Sequence, residues 1–312
     1  MTMKFAERME LFAASDIQEI LKVTARPEII SFGGGLPAPE LFPVEKMKEV
    51  SCKVLEENGT KALQYFTTEG LPSLREKIAK RSNERLGTCL EMENVVIVTG
   101  SQQALDLAGK IFLNEGDVVL CESPTYVGAI DALKAYQPRF VEVETDDNGM
   151  VVEDLEKKIN EEKNVKLIYV TPDFQNPTGV TWSEERRRSF MEVVNQHSIP
   201  VLEDNPYGEL RFEGTTPPAL KSFDKKGNVI MLGSFSKVLC PGMRVAWISG
   251  DKDLLMKFVF VKQACDIHTS SKSQYEIDTF LEMFDLDEHI AELVKVYGQR
   301  KDVMLKAMEE FF

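Results

Sequence analysis

The sequence predicts an α/β protein with a mostly parallel sheet of the seven-stranded type, flanked by helices. Two observations carry this prediction. From residue 95 onward, short continuous apolar runs recur along the chain, and segments of helical spacing lie between several of them. Continuous apolar runs are typical of strands covered on both faces, and their alternation with helices is typical of parallel sheets.

The predicted elements follow one another in a regular order. Apolar runs predict strands at Val95–Val98, Val118–Leu120, Arg139–Val143, Leu167–Val170, Val201–Glu203, Val229–Leu232 and Val245–Ile248. Amphipathic spacing predicts helices at Gln102–Leu113, Thr125–Ala135, Val152–Asn160 and Ser183–Gln196. Earlier in the chain, capping and proline signals predict helices at residues 14–24, after Pro43 and near Pro72. A long helix is predicted from about Ile248 to Ile267.

Three units are predicted along the chain. They are an N-terminal arm and helix over residues 1–40, a large domain that carries the sheet over residues 41–265, and the start of a smaller α+β domain over residues 266–312. After residue 275 the pattern is helical only, and no later strand covers its apolar face, which includes Ile290 and Leu293. We therefore expect the smaller domain to be incomplete at this length.

Composition and charge exclude several classes of function. The formal net charge of −14 argues against nucleic-acid binding, which needs a basic surface, and against docking on anionic membranes. No apolar stretch is long enough to span a bilayer. The five cysteines are scattered without a CxxC pair, which predicts neither a zinc site nor a disulfide framework and fits a reducing cytoplasm. The histidines show no metal-ligand spacing, so no metal is expected.

Lys237 is the most informative residue, because it follows an apolar run and precedes another. A lysine held between two buried strands is costly unless its amine is used. Ser234 and Ser236 lie beside it, and Arg244 follows before the next run, so an anion such as phosphate is predicted nearby. The chemistry that uses a lysine amine beside a phosphate pocket is a Schiff base with pyridoxal 5′-phosphate.

A second anion-binding element is predicted at Thr99–Gln103, between a strand and a helix. A turn of small residues at this place aims free backbone N–H groups and the helix dipole at an anion. Taken alone, an ordinary turn with Ser101 as the helix N-cap is the simpler interpretation. Combined with the serines and the arginine near Lys237, the phosphate interpretation is preferred for Ser101 and Gln102.

Aromatic, amide and carboxyl groups follow three other predicted strands. Tyr126 can lie against a flat heterocycle or pack in the core, and its position alone does not decide between them. Asn176 stands in an Asn-Pro-Thr-Gly turn, where its amide can donate to a phenolate oxygen. Asp204 ends a buried strand, with Tyr207 three residues on, and a carboxylate there needs a partner such as a pyridinium nitrogen. Glu203 is the alternative acid, but the spacing to Tyr207 and Lys237 favours Asp204.

Six motifs occur in order along most of the chain. They read Phe32-Gly33-Gly34-Gly35-Leu36-Pro37, Gln64-Tyr65-Phe66-Thr67-Thr68-Glu69-Gly70, Gly100-Ser101-Gln102-Gln103-Ala104-Leu105, Gln175-Asn176-Pro177-Thr178-Gly179, Glu203-Asp204-Asn205-Pro206-Tyr207 and Gly233-Ser234-Phe235-Ser236-Lys237. With these motifs the chain resembles the class I/II aminotransferases of the fold-type I pyridoxal phosphate enzymes. It most resembles the branch that contains α-aminoadipate and kynurenine aminotransferases. Six motifs in order are far more specific than any one of them.

The resemblance implies roles for the residues around the cofactor ring. Lys237 would form the Schiff base with the cofactor and would later act as general base and acid. Asp204 would pair with the pyridine nitrogen, and Tyr126 would stack on the ring. Asn176 and Tyr207 would bond the phenolate oxygen.

The resemblance also implies how the phosphate and the substrate are held. The phosphate would be bound by Ser101, Gln102, Ser234, Ser236 and Arg244. Tyr65 would reach the phosphate of the partner subunit's cofactor, which implies a homodimer with shared active sites. The backbone of Gly34 and Gly35, together with Asn176, would line the substrate pocket. The partners are then small-molecule substrates, an amino acid and a 2-oxo acid.

The activity that the resemblance implies is transamination of an L-amino acid with a 2-oxo acid, in a ping-pong cycle with a broad substrate range. The motifs leave two alternatives open, because the cofactor site is shared. One is other chemistry on the same fold, such as a C–S lyase or a decarboxylase. The other is a cofactor-binding fragment without catalysis.

Two departures from the family pattern bear on the substrate. The family's arginine that clamps the substrate α-carboxylate, within a motif like Arg-Leu-Ser-Tyr, has no counterpart in this sequence, so we expect a truncated form of a longer chain. Members that act on acidic substrates tend to carry an arginine where Gln18 stands. This difference weakens the case for recognition of a distal carboxylate through the N-terminal helix.

Overall fold

A computed structural model describes residues 3–12, 26, 28–30 and 35–312. The predicted helix at residues 14–24, including Gln18, lies outside the described residues. So does Gly34, together with the rest of the segment 31–34.

The predicted seven-stranded sheet is confirmed. Its strands are β1 (Val95–Val98), β2 (Val118–Glu122), β3 (Arg139–Val143), β6 (Val165–Val170), β7 (Val201–Asp204), β8 (Val229–Ser234) and β9 (Ala246–Ser249), and a separate two-stranded ribbon is formed by β4 (Thr145–Asp146) and β5 (Gly149–Met150). The order across the sheet is β1-β9-β8-β7-β6-β2-β3. Strand β9 runs antiparallel to both its neighbours, and every other pair in this sheet is parallel. The mostly parallel arrangement is therefore also confirmed.

Four strands extend further toward their carboxyl ends than the apolar pattern predicts. Strands β2, β7, β8 and β9 end at Glu122, Asp204, Ser234 and Ser249, and these polar residues are buried. A run of apolar residues gives no signal for a polar residue that is paired at the end of a strand. In the parallel strands β2, β7 and β8 the added residues lie at the carboxyl edge of the sheet, where ligands of α/β proteins bind.

Helices cover both faces of the sheet. They are α1 (Val44–Ala62), α2 (Pro72–Leu86), α3 (Ser101–Phe112), α4 (Val127–Leu133), α5 (Val152–Glu161), α6 (Glu184–Val194), α7 (Lys252–Cys265), α8 (Ser271–Met283) and α9 (Leu286–Phe311). Along β6, Leu167 and Tyr169 join the apolar cluster with α3, α4 and α7, whereas Ile168 joins the cluster with α5 and α6. Alternate residues thus pack on opposite faces, which explains why the strands read as continuous apolar runs.

The long helix predicted from Ile248 begins later than expected. Ile248 and Ser249 still belong to β9, and α7 starts at Lys252 after Asp251, whose side chain accepts a hydrogen bond from the backbone N–H of Asp253. An aspartate at this place is a preferred N-cap, because it satisfies an N–H group that has no partner within the helix. The apolar residues before it belong to a strand rather than to the helix.

The last two described helices extend the third apolar cluster. Ile277, Phe280 and Ile290 are buried with residues of α1, α2 and strand β1. Further along α9 the apolar side chains of Val303 and Leu305 are exposed. Among the described residues, no helix is both long enough and apolar enough to cross a membrane.

Candidate active site

A cavity of about 210 Å³ opens at the carboxyl edge of the sheet. The predicted site residues that line it are Ser101, Gln102, Tyr126, Asn176, Asp204, Tyr207, Ser234, Ser236, Lys237 and Arg244. They come from different strand ends, because parallel strands bring their carboxyl ends to one edge. Residues that are far apart in the sequence therefore surround a single space.

Lys237 lies on the turn after β8 and faces this cavity. Its Nζ donates a hydrogen bond to the carbonyl oxygen of Gly35 at 3.2 Å. The same Nζ lies over the ring of Tyr207, 5.7 Å from its centroid. Desolvation lowers the pKa of the Lys237 ammonium. A lowered pKa increases the share of neutral amine, which is the nucleophilic form.

Asp204 is the last residue of β7, and only 3% of it is exposed. The hydroxyl of Tyr169 donates to its Oδ2 at 2.9 Å. Its Oδ1 is buried and has no hydrogen-bond partner among the described residues. Desolvation raises the pKa of this carboxyl to about 6, although the bond from Tyr169 acts in the opposite direction. A buried carboxylate oxygen without a partner is costly, and a cationic ligand would supply the partner.

Glu203, the alternative acid, points away from the cavity. Its carboxylate accepts backbone N–H bonds from Leu220 at 2.7 Å and from Lys221 at 2.9 Å. Successive residues of a strand face opposite sides of the sheet, so only one of the two neighbouring acids can face the cavity. That residue is Asp204.

The start of α3 and the loop of Arg244 form a cradle of N–H groups and hydroxyls. Gly100 precedes the helix at φ +80°, and a Cβ built on it would lie 2.1 Å from Nη2 of Arg244. The guanidinium therefore lies directly against the helix N-terminus, whose first N–H groups have no acceptor within the helix. Ser234 and Ser236 line the same cavity. This set of donors suits a dianion such as phosphate.

The Gln102 side chain has a different contact from the predicted one. Its Nε2 donates to the carbonyl oxygen of Gly128 at 2.9 Å, which links α3 to the start of α4. A Cβ on Gly128 would meet the Tyr126 ring at 2.4 Å. Gln102 thus connects the cradle with the segment that carries Tyr126.

Two tyrosines face the cavity beside Asp204. Desolvation raises the pKa of both Tyr126 and Tyr207. A hydrogen bond with Asn176 acts in the opposite direction on the pKa of Tyr207. Asn176 and Tyr207 therefore form a polar pair in the same cavity as Lys237.

Gly35 and Tyr65 lie apart from the main cavity lining. The carbonyl of Gly35 reaches Lys237, as described above. Tyr65 is 76% exposed, and its ring meets that of His268 edge-on with centroids 5.9 Å apart.

Sequence reasoning missed two polar residues of the cavity, Tyr169 and Thr171. Tyr169 is 1% exposed within β6, and its hydroxyl lies 3.4 Å from Oγ1 of Thr171. A tyrosine inside an apolar run is predicted to be a residue of the hydrophobic core. The signal that could have found it is the adjacency of β6 and β7, since a buried tyrosine hydroxyl needs a partner and Asp204 is on the next strand.

The arrangement fits pyridoxal phosphate. The cradle would hold the phosphate, the unpartnered Oδ1 of Asp204 would meet the protonated ring nitrogen, and Lys237 offers an amine on the same cavity.

Comparison with known proteins decides the family. The model of the family "Aminotransferase class I and II" matches residues 28–311. The chain belongs to this family. Aromatic-amino-acid aminotransferase 1 of Thermococcus litoralis is 43% identical over 98% of this chain and 75% of its own length. The 2-aminoadipate transaminase of Thermus thermophilus is 42% identical over 95% of this chain and 73% of its own length.

Solved aminotransferases share the fold. The kynurenine aminotransferase of Pyrococcus horikoshii, in complex with PMP, superposes with a TM-score of 0.93 at 41% identity, over 99% of this chain and 77% of that one. LysN of Thermus thermophilus, an α-aminoadipate aminotransferase, superposes with a TM-score of 0.90 at 39% identity, over 98% and 76%. LysN was solved with a phosphopyridoxyl derivative of leucine. The predicted fold type, the enzyme class and the cofactor, pyridoxal phosphate, are thereby confirmed for this aminotransferase.

Gly100→Ala tests the cradle. The added Cβ would push Arg244 away from the helix N-terminus, so we expect the affinity for pyridoxal phosphate to fall at least about tenfold. The control is Gly116→Ala, because Gly116 has the same φ of +80° but nothing within 4 Å of the added Cβ. Both variants should lose on the order of 1 kcal/mol of stability from backbone strain, to which the contact with Arg244 adds in Gly100→Ala, and only Gly100→Ala should lose affinity in a cofactor titration. Equal affinity in the two variants would contradict this assignment of the cradle.

Asp204→Asn tests the cost of the buried carboxyl in the cofactor-free chain. The folded pKa of Asp204 lies near 6, above the ordinary value of 3.8. The folded state therefore binds more protons between these values, so the stability contributed by Asp204 is present below about pH 4 and is lost as the pH rises through 6. We expect the free energy of unfolding of the wild type, relative to the variant, to fall by on the order of 2–3 kcal/mol from pH 4 to 7 in urea titrations.

Asp224→Asn is the control for this pH series. Hydrogen bonds and the charge of Lys221 outweigh desolvation and lower the pKa of Asp224, so it stays ionised over the same range. Its stability difference from the wild type should stay flat. A flat difference for Asp204→Asn as well would show that Asp204 does not titrate in this window.

Proposed function

We propose that this aminotransferase transfers the amino group of an L-amino acid to a 2-oxo acid in a ping-pong cycle, and that its substrate range is broad. The observation that carries the proposal is the placement of the Lys237 amine and the buried, half-partnered Asp204 carboxylate on one cavity. Relatives named for aromatic amino acids, 2-aminoadipate and kynurenine support the range. The same names favour transamination over the C–S lyase and decarboxylase alternatives.

Lys237 is proposed as the group that moves the proton. Pyridoxal phosphate supplies an aldehyde for the substrate amine and a ring that delocalises the negative charge left at Cα. Desolvation destabilises the ammonium form of Lys237, so its neutral Nζ can accept the proton from the substrate Cα. The same Nζ can then donate that proton to the cofactor carbon. The carbonyl of Gly35, 3.2 Å from Nζ, orients the amine between these transfers.

Asp204 and the aromatic residues are proposed to set the electronics of the ring. The Oδ1 of Asp204 would accept the N–H of the ring nitrogen and keep it protonated, while Tyr169 holds Oδ2. Asn176 and Tyr207 would donate to the ring oxygen, and Tyr126 would lie on the ring face. Ser101, Ser234, Ser236 and Arg244 would hold the phosphate, with the backbone of Gln102 rather than its side chain.

A homodimer with shared sites is proposed on the basis of an exposed patch. Leu63 is 71% exposed, Tyr65 76% and Ile267 51%. Large apolar and aromatic side chains of this kind are typical of subunit interfaces. Tyr65 would then reach the phosphate bound by the partner subunit.

The compartment is proposed to be the reducing cytoplasm. All five cysteines are free thiols, and Cys52, Cys89 and Cys265 are exposed. Exposed thiols persist where the environment is reducing. Fractionation of the source cells tests this, and recovery outside the cytoplasm would refute it.

Lys237→Ala tests the proposed activity. The visible spectrum of the wild type with pyridoxal phosphate should change on addition of L-amino acids, and the amino acid with the largest effect identifies the donor. In the variant, turnover should fall by at least about 10³-fold, because both the nucleophile and the proton carrier are lost. Lys225→Ala, at an exposed lysine, is the control and should behave as wild type. Substantial turnover in Lys237→Ala would overturn the assignment, and a wild type that binds cofactor without turnover would favour the non-catalytic alternative.

Complementation tests the shared site. We expect Tyr65→Ala and Lys237→Ala chains each to be strongly impaired alone. In an equal mixture, half of the dimers would be hybrids, and one of the two sites in each hybrid would carry both wild-type residues. Activity should therefore recover to about a quarter of the wild-type value. Activity no greater than the mean of the two parents would show that Tyr65 serves its own subunit or none.

A further inference from the structure

A polar network lies beneath the start of α3, and none of the roles proposed above uses it. Its centre is Asp266, the residue after α7. Lys262 Nζ donates to Oδ1 of Asp266 at 2.7 Å. Gln103 Nε2 donates to Oδ2 at 2.7 Å, and Thr99 Oγ1 donates to the same oxygen at 2.9 Å. One carboxylate thus gathers three side chains from two parts of the chain.

Lys262 is fully buried in this network. Its Nζ also donates to Oε1 of Gln103 at 3.2 Å. Desolvation lowers the pKa of Lys262, whereas the carboxylate of Asp266 raises it. Burying an ammonium is costly unless a carboxylate and further hydrogen bonds compensate it, so a lysine at this place calls for a reason other than core packing.

The network holds both ends of the segment Gly100–Gln102, which forms part of the cradle. Thr99 precedes this segment and Gln103 follows it. The backbone N–H of Thr99 donates to Oε1 of Gln103 at 2.8 Å. The Thr99 hydroxyl also lies 3.0 Å from the Thr269 hydroxyl. Asp266 therefore fixes the positions from which the first N–H groups of α3 point into the cavity.

The negative charge of Asp266 is unfavourable beside a phosphate site, and Lys262 compensates it. A carboxylate that contacts both residues flanking an anion cradle would repel a phosphate dianion. The buried ammonium of Lys262 neutralises that carboxylate on its far oxygen, Oδ1. The pair can then hold the cradle segment without adding net negative charge beside the phosphate.

We propose that Lys262 and Asp266 are positioning residues for the cofactor phosphate, holding Thr99–Gln103 in its binding geometry as a neutral pair. The proposal rests on the proposed function only through the assignment of the cradle to the phosphate. It predicts that loss of the pair weakens binding of the phosphate more than binding of the ring.

Two cofactor forms separate positioning of the phosphate from general damage. The chain, freed of cofactor, is titrated with pyridoxal phosphate and with pyridoxal, which lacks the phosphate. In Lys262→Met, we expect affinity for pyridoxal phosphate to fall about tenfold, with affinity for pyridoxal nearly unchanged. Lys257→Met removes the same charge from an exposed position on the same helix and should match the wild type for both ligands.

Thr99→Val examines the same network at its other end and keeps the size of the side chain, so it tests the proposal even if Lys262→Met does not fold. We expect it to lower affinity for pyridoxal phosphate severalfold and to leave pyridoxal binding unchanged. In the double variant, which combines Lys262→Met with Thr99→Val, the fold-loss of affinity for pyridoxal phosphate should be smaller than the product of the two single fold-losses, because both substitutions act through Asp266.

The outcomes are distinct. Equal losses for pyridoxal phosphate and pyridoxal, no loss in Thr99→Val, or fully multiplicative effects in the double variant would overturn the proposal and leave the network a purely structural role. Failure of the wild type to prefer pyridoxal phosphate over pyridoxal would instead refute the assignment of the cradle, on which the proposed function depends.

Discussion

The buried carboxylate at the end of β7 is the constraint on which the rest of the site depends. Asp204 lies on a central strand with parallel neighbours on both sides, and its buried Oδ1 has no hydrogen-bond partner within the described part of the chain. Tyr169 satisfies one oxygen, but desolvation still raises the pKa of the carboxyl to about 6, because this single hydrogen bond compensates the charge only in part. A cation bound at Oδ1 would offset this cost, so in our proposal the cofactor adds to the stability of the folded chain.

The same environment acts in opposite directions on the two reactive groups. Desolvation destabilises charge, so it raises the pKa of the Asp204 carboxyl and lowers that of the Lys237 ammonium. The Asp204 carboxylate, which would be stabilised by a cation, and the Lys237 amine, whose neutral form is favoured, line the same cavity. A protonated heterocycle with an aldehyde would complement both groups, so in our proposal pyridoxal phosphate is held by electrostatics as well as by its phosphate.

Close backbone approach organises the anion side of the cavity. Gly100 leaves room for the Arg244 guanidinium, and Gly128 leaves room for the Tyr126 ring. Side chains that do not face the cavity hold these segments in place, as Gln102 does for the loop at Gly128. In our proposal Lys262 and Asp266 do the same for the start of α3. The positions of the residues that would touch the cofactor thus depend on a surrounding layer of polar contacts.

The amino-acid sequence by itself determined the fold class, because apolar runs and helical spacing reflect burial that is local and periodic. It also indicated most residues of the cavity, because a lysine between buried strands, Lys237, and a carboxylate at the end of one, Asp204, are costly without a ligand, and because the ordered motifs resemble those of the family. Tertiary structure alone decided how far β2, β7 and β8 extend, that Glu203 bonds the backbone of Leu220 and Lys221, and that Tyr169 bonds Asp204. Those outcomes depend on which strands are neighbours and which face each residue occupies, and no spacing along a single chain encodes contacts between distant segments.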